Sequence, residues 1–260
     1  MPALLQISDP HLMSSVTGTL KGVPTAESLQ SVLVRARAEV AHPDRVILSG
    51  DLSHEETLAG YELLQNLLGD WCDRCLLIPG NHDDRRALRE VFDQVPGTGS
   101  DEVWFRESVG DWQLIGLDSQ VHGEGYGELS EKMLSRLESW LSSRFDQPTL
   151  IFLHHHPVPV NSRWIDRIGL HNASQLERLL RANQAVKGVF CGHIHQEFEG
   201  RIAGVPVYSV PSASHQFVPK DDKMRFDLRP PGFRVIDLQA ASVATRIVRL
   251  EDMVFRPRDE

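Results

Sequence analysis

Cys75-Leu76-Leu77-Ile78-Pro79-Gly80-Asn81-His82-Asp83 holds the pattern that decides the fold: a short apolar run, a turn, and then side chains of the types that bind metal ions. Four consecutive apolar residues closed by Pro79-Gly80 read as a buried strand that ends at the turn. The pattern recurs four times. Ala3-Leu4-Leu5-Gln6-Ile7 runs into Ser8-Asp9-Pro10-His11, and Arg45-Val46-Ile47-Leu48 runs into Gly50-Asp51-Leu52. Thr149-Leu150-Ile151-Phe152-Leu153 runs into His154-His155-His156, and Val186 to Cys191 runs into Gly192-His193-Ile194-His195. In an α/β sheet the carboxyl ends of parallel strands face one crevice. These five ends therefore bring at least three carboxylates, a carboxamide and four or more imidazoles to one rim. Without a counter-ion that cluster would suffer like-charge repulsion and desolvation. Metal ions remove both problems, and mixed oxygen and imidazole donors suit Fe, Mn, Zn or Co better than Ca or a thiolate site. Gly50, Gly80 and Gly192 each precede a ligand type, where a Cβ would obstruct the approach of backbone to an ion or phosphate.

Helix-period stretches separate the first strands. Ala26 to Val40 places Leu29, Val32, Leu33 and Ala36 on one face; Tyr61, Leu64, Leu67 and Leu68 mark a second helix, and Arg85 to Phe92 a third. This β-α-β-α-β-α order predicts a parallel sheet with right-handed crossovers. Val103 to Arg106 and Trp112 to Leu117, split by Gly110-Asp111, predict a hairpin. Helices are predicted from about Ser130, with the stripe Leu134, Leu137 and Leu141, and from Asn172 as N-cap. The last third is strand-like at Val205 to Tyr208, Phe233 to Ile236 and Ala244 to Val248. Ser214 to Gly232 has no periodicity and reads as a long loop near the active site, since such loops in compact domains are functional or disordered. No repeat, linker or low-complexity tract divides the chain, so residues 1–260 are predicted to form a single domain.

With 260 residues, 41% of them hydrophobic, the chain can bury one substantial core. Its net charge of -9, from 36 acids and 27 bases, argues against a polymeric nucleic-acid partner. A small phosphorylated substrate is compatible, because bound metal supplies positive charge locally. Cys72, Cys75 and Cys191 do not make a disulfide framework. The Cys72-Asp73-Arg74-Cys75 motif precedes a strand, whereas a redox Cys-x-x-C opens a helix, so these cysteines read as structural. No basic-apolar leader and no run of ~18 apolar residues is visible, so a cytoplasmic chain with no membrane partner is expected, as monomer or homodimer.

Asp9-Pro10-His11, Gly50-Asp51, Gly80-Asn81-His82-Asp83, His155 and Gly192-His193-Ile194-His195, in this order, resemble the five blocks of the calcineurin-like metallophosphoesterases. The resemblance implies an α/β sandwich of two mixed β-sheets flanked by α-helices, holding two divalent or mixed-valence metal ions. It implies that Asp9, His11 and His195 bind one metal, that Asn81, His155 and His193 bind the other, and that Asp51 bridges them. The family ligand lies two residues before a proline, here His155 before Pro157. Strand alternation would turn His154 and His156 away unless the backbone has already turned, so either remains an alternative to His155.

His155-His156-Pro157-Val158-Pro159, Trp164-Ile165-Asp166, Gly192 to Gln196 and Pro231-Gly232-Phe233-Arg234 are similar, more narrowly, to the bacterial class III 3',5'-cyclic AMP phosphodiesterases. This similarity implies hydrolysis of cyclic AMP to 5'-AMP by in-line attack of a metal-bridging hydroxide. His82 is expected to protonate the leaving ribose oxygen or hold the phosphate, and Asp83 to orient its imidazole. His11, Asp51, Asn81, His82 and His195 are expected to contact substrate. The same machinery would serve 2',3'-cyclic nucleotides, glycerophosphodiesters or other small phosphodiesters. A non-catalytic protein-binding scaffold would lack ligands, and none of the seven is substituted. His54, His122, His171, Trp164 and Asp166 are weaker pocket candidates; His42 and His215 carry no signal.

A carboxylate shared by two cations offsets their mutual repulsion, which the neutral Asn81 cannot do. Asp51→Asn is therefore expected to lose at least one metal per chain by elemental analysis; full occupancy with normal turnover contradicts the bridging role.

Overall fold

The computed structural model describes residues 2–99, 101–144, 146–252 and 255–258. Met1, Asp259 and Glu260, the ends of the predicted domain, lie outside the described residues. The strands form two main sheets. The first has the order Val243–Arg249, Gly232–Leu238, Ala3–Ile7, Arg45–Ser49, Cys75–Ile78. Its last three strands are parallel, as the alternating order predicts, and the two C-terminal strands are antiparallel. The second has the order Glu199–Ile202, Val205–Ser209, Val186–Cys191, Thr149–Leu153, Trp112–Leu117, Phe105–Val109. Its four inner strands are parallel and both edges antiparallel. Both sheets are mixed, with helices outside them, as the resemblance implies.

Alternation along each strand explains the continuous apolar runs, because both faces are buried. Leu4, Ile47 and Ile78 of the first sheet meet Leu114, Leu150, Phe152 and Phe190 of the second in an inner core. Their neighbours Leu5, Val46 and Leu48 pack outward against Leu29, Val32, Leu33 and Leu64 of the helices Thr25–Glu39 and Leu58–Leu68. Ile115, Ile151 and Val189 pack against Met133, Leu137, Leu176 and Leu180 of Glu131–Ser143 and Ala173–Ala182.

Caps set several helix starts. Ser130 accepts from Met133 N at 3.0 Å and Asp84 from Ala87 N at 2.7 Å. Asn172 stands at the N-cap of Ala173–Ala182, as expected, but its side chain makes no capping bond. Its side chain accepts from Leu129 N and donates to Leu129 O, so it ties two loops instead of closing its own helix. The first hairpin strand starts at Phe105, two residues after the predicted start at Val103. Ser214 to Gly232 contains a two-residue antiparallel pair, Gln216–Phe217 with Phe226–Asp227, too short to leave a periodic signal. Among the described residues no helix is long and apolar enough to cross a membrane.

The ladders continue past the strand ends and fix the rim. Asp9 N donates to Gly50 O and Gly192 N to His154 O, each at 3.0 Å. Gln6 Nε2 donates to Ser49 Oγ on the next strand of its own sheet at 3.0 Å and across the inner core to Cys191 O at 3.2 Å, which joins the two sheets.

Phe152 is fully buried between the sheets and stacks on Phe190 at 5.2 Å. Phe152→Ala is expected to cost about 3–5 kcal/mol, read as a lower urea midpoint at unchanged slope.

Candidate metal centre

The chain turns abruptly where the strands stop. Asp9, His11, Asp51, His193 and His195 all have left-handed backbone, with φ of 54°, 46°, 51°, 68° and 49°. Such φ values are uncommon away from glycine, and strained residues of this kind cluster at functional sites. Two glycines make the crowding possible. A Cβ on Gly80 would lie 2.1 Å from Asp51 Oδ1, and one on Gly192 would lie 2.1 Å from Ser8 Oγ and 2.9 Å from Asp9 Oδ2. The space they leave is thus occupied by neighbouring strand ends and their carboxylates.

Two buried groups result. In the first, ligand atoms of Asp9, His11, Asp51 and His195 lie within 4.8 Å of one another. His11 Nε2 is 3.5 Å from Asp51 Oδ2, His195 Nε2 is 3.4 Å from Asp9 Oδ1, and the two Nε2 atoms are 3.2 Å apart. In the second, His154, His155 and His193 converge within the same limit. Asp51 lies between the groups, because its Oδ1 is 3.5 Å from His154 Nε2 while Oδ2 faces His11.

Burial holds His11, His155 and His193 well below the ordinary imidazole range. They are therefore neutral with lone pairs free, the form that ligates metals. Burial also opposes charge on both Asp51 and His154, but their mutual attraction wins: Asp51 stays well below the usual carboxylate range and His154 rises to about 9.

Asn81 Oδ1, His155 Nε2 and His193 Nε2 are buried with no hydrogen-bond partner among the described residues. An orphaned buried polar atom costs about 1–3 kcal/mol. These three atoms belong to the three residues that the resemblance gives to the second metal, and a cation would satisfy them together. The donor set fits two first-row metal ions.

The opposite ring nitrogens are fixed, as ligating imidazoles require. Ser119 Oγ is 2.8 Å from His155 Nδ1, His215 O is 2.8 Å from His195 Nδ1, and Ser49 O is 2.8 Å from His154 Nδ1. Asp9 accepts from His193 N at 3.0 Å and 3.2 Å.

Asp83 does not orient His82. Its carboxylate accepts from Leu52 N, Ser53 N, Gly80 N and the Tyr61 hydroxyl at 2.8–3.1 Å. Those donors would otherwise be orphaned in a buried turn, so they consume its lone pairs. Burial, and then the nearby Asp51 charge, raises the Asp83 carboxyl to about 6. Asp83 is a clamp between the two loops. His82 joins the site through its backbone N, which donates to Asp51 Oδ1 at 2.9 Å, and its ring lies 5.2 Å from His11 and 4.9 Å from His54.

Nor does strand alternation send His154 and His156 away. The strand ends at Leu153 and the chain bends at His154 and His155. His154 therefore reaches the carboxylates, and His156 stacks on His193 at 5.7 Å.

The groups open on a cavity of about 240 Å³, lined by His11, Asp51, Asn81, His82, His193 and His195. Of the weaker candidates, His54 and Trp164 also line it. Asp166 accepts from Val160 N and Ser162 N and so serves a capping turn. His171 borders a separate pocket, with Nε2 2.9 Å from Arg167 O, and His122 is exposed. Ser119 is not singled out by the sequence, and His215 is read there as carrying no signal. Ser119 follows the Trp112–Leu117 strand, so the strand-end rule would have found it; His215 left no pattern.

The calcineurin-like phosphoesterase family model matches residues 3–197 of the chain. The chain belongs to the calcineurin-like phosphoesterases. This phosphoesterase is 36% identical over 255 residues to the 3',5'-cyclic adenosine monophosphate phosphodiesterase CpdA of Vibrio vulnificus, covering 98% of this chain and 92% of the relative. It is 29% identical over 233 residues to the glycerophosphodiester phosphodiesterase GpdQ of Enterobacter lignolyticus, covering 88% and 84%. A dimetal phosphatase from Danio rerio shares the fold, with a TM-score of 0.66 at 14% identity over 94% of this chain and 98% of that one.

Ser119→Ala removes the hydroxyl on His155 Nδ1 without touching the core. It is expected to weaken retention of one metal about 10–100-fold, measured by elemental analysis after dialysis against graded chelator. Retention equal to wild type contradicts the orienting role.

Proposed function

We propose that this phosphoesterase hydrolyses 3',5'-cyclic AMP to 5'-AMP at a binuclear centre. The observation that carries the reading is the pair of buried Asp/His groups meeting at Asp51 on the floor of one cavity. Asp9, His11 and His195 would hold one metal ion, Asn81, His155 and His193 the other, and Asp51 both. His155 is preferred over His154 because His155 Nε2 is unpartnered, whereas His154 faces Ser49 O through one nitrogen and Asp51 through the other. When bound, Fe, Mn, Zn or Co ions supply Lewis acidity and activate water as the nucleophile.

The chain's own residues do the rest. His11, Asp51, Asn81, His82 and His195 face the cavity where the phosphate would sit. The His82 ring lines the cavity beside His54, which suits it to hold the phosphate or give a proton to the departing ribose O3'. The reading of a cyclic nucleotide rests on the relative that carries that activity in its name, and residues 1–260 are taken as one unit around this site. Glycerophosphodiesters are the competing substrates, through the GpdQ relationship.

The decisive assay measures metal content and turnover on one sample, with kcat/KM compared across cyclic AMP, 2',3'-cyclic nucleotides and glycerophosphodiesters. Cyclic AMP is expected to rank first, chelation to abolish turnover, and Mn or Fe to restore it; a metal-loaded enzyme that prefers a glycerophosphodiester overturns the substrate. His82→Ala is expected to lower kcat about 10²–10⁴-fold with both metals retained, and loss of metal in its place refutes the role of His82.

A further inference from the structure

The cavity has two unlike halves. Its floor is the Asp/His cluster. Its outer half is mostly apolar, with Trp164, Ile165 and Ile168 from one segment and Phe217, Met224 and Phe226 from another, and a third segment adds Leu20 and the cationic Lys21 to the lining. We propose that this apolar half is the nucleobase subsite, and that the hairpin joining Gln216–Phe217 to Phe226–Asp227 sets the preference for nucleoside diesters over small-headgroup diesters. The proposal rests on the cyclic nucleotide reading and deepens it.

Continuity with the cluster is direct. The Phe217 ring stacks on His195 at 4.5 Å and 21°, then on Phe226 at 5.9 Å and 23°, while Trp164 meets Phe217 edge-on at 5.0 Å. A diester whose phosphate sits at the cluster must send its other substituent along this row. Aromatic faces accept any base by stacking. A glycerol or ethanolamine group would instead leave the accessible part of this apolar wall wet, with little apolar surface to offer it.

The walls are also preformed. Ser162 Oγ donates to Asp221 O, and Arg163 Nε lies 3.4 Å from Asp222 Oδ2, so the two segments are joined beyond the apolar side chains. Val218 N donates to Arg225 O at 2.9 Å and closes the hairpin. A ready-made slot suits a rigid planar group, which loses little freedom on entry.

The test compares two substrates that differ only in the base: cyclic AMP and the 3',5'-cyclic phosphate of methyl riboside. Phe226→Ala and Met224→Ala are made in the full chain; Met224 is half exposed, at 50%, so its loss spares the fold. Phe226→Leu keeps apolar bulk without the ring. Phe226→Ala is expected to raise KM for cyclic AMP about 5- to 150-fold, the range of one base–aromatic stack. Met224→Ala and Phe226→Leu should raise it less. For the base-free substrate KM should stay within about twofold, and kcat should hold on both, the mark of binding energy lost uniformly. Equal changes on the two substrates, or none, overturn the subsite while leaving cyclic AMP hydrolysis intact. Wild-type enzyme that turns over the base-free diester but not cyclic AMP overturns both.

Discussion

A single carboxylate between two groups of imidazoles constrains the rest of the molecule. Asp51 faces His11 through one oxygen and His154 through the other, and it also accepts the backbone N–H of His82. Burying a carboxylate costs several kcal/mol unless partners surround it, so its surroundings must be placed within fractions of an ångström. The left-handed turn at Asp51 aims it, and Gly80 leaves the room that a Cβ would take. Asp83 then locks the loops that carry both residues, by accepting from Leu52, Ser53 and Gly80 at once. Preorganisation of this kind allows fixed dipoles to act at a reacting phosphate without reorganising.

The sheet-on-sheet core matters for the same reason. Asp9, His11, Asp51 and Asn81 follow strands of the first sheet, whereas His155, His193 and His195 follow strands of the second. Each candidate metal position therefore draws donors from both sheets. Sliding one sheet on the other by a single side chain would separate Asp9 from His195, now 3.4 Å apart, and dissolve both groups. Close packing of Leu4, Ile47, Ile78, Phe152 and Phe190 sets that spacing, and a packed core resists continuous deformation.

The strand ends were legible because their chemistry is local. An apolar run fully buried on both faces, followed by a turn and a ligand type, announces itself within ten residues. Pairing was not: nothing local says that Gly232–Leu238 lies against Ala3–Ile7, since that contact closes over most of the chain. The supporting residues were hidden for a similar reason. Ser119 and Tyr61 act through partners tens of residues away, at His155 and Asp83. Asp83 itself misled, because its neighbour in sequence, His82, is not its neighbour in hydrogen bonding. The short strands at Gln216 and Phe226 hold two residues each, fewer than any alternation can reveal.

The two halves of the cavity are built from different kinds of chain, and this shapes what can vary. Its polar floor sits on strand ends fixed by ladders and core, where a change of one residue disturbs several partners. Its apolar walls sit on turns held at few points, where substitutions away from buried partners cost little stability. The hairpin wall is not wholly free, however. The carbonyl of His215 holds His195 Nδ1, and Phe217 stacks on the same ring. The base of the hairpin is thus part of the support for a candidate ligand, while Met224, nearer its tip, is half exposed and lines the cavity. Changes at His215 or Phe217, which meet the His195 ring, alter the centre and the outer cavity together, whereas changes at Met224, or at Phe226, whose ring stacks on Phe217 and not on His195, alter the outer cavity alone.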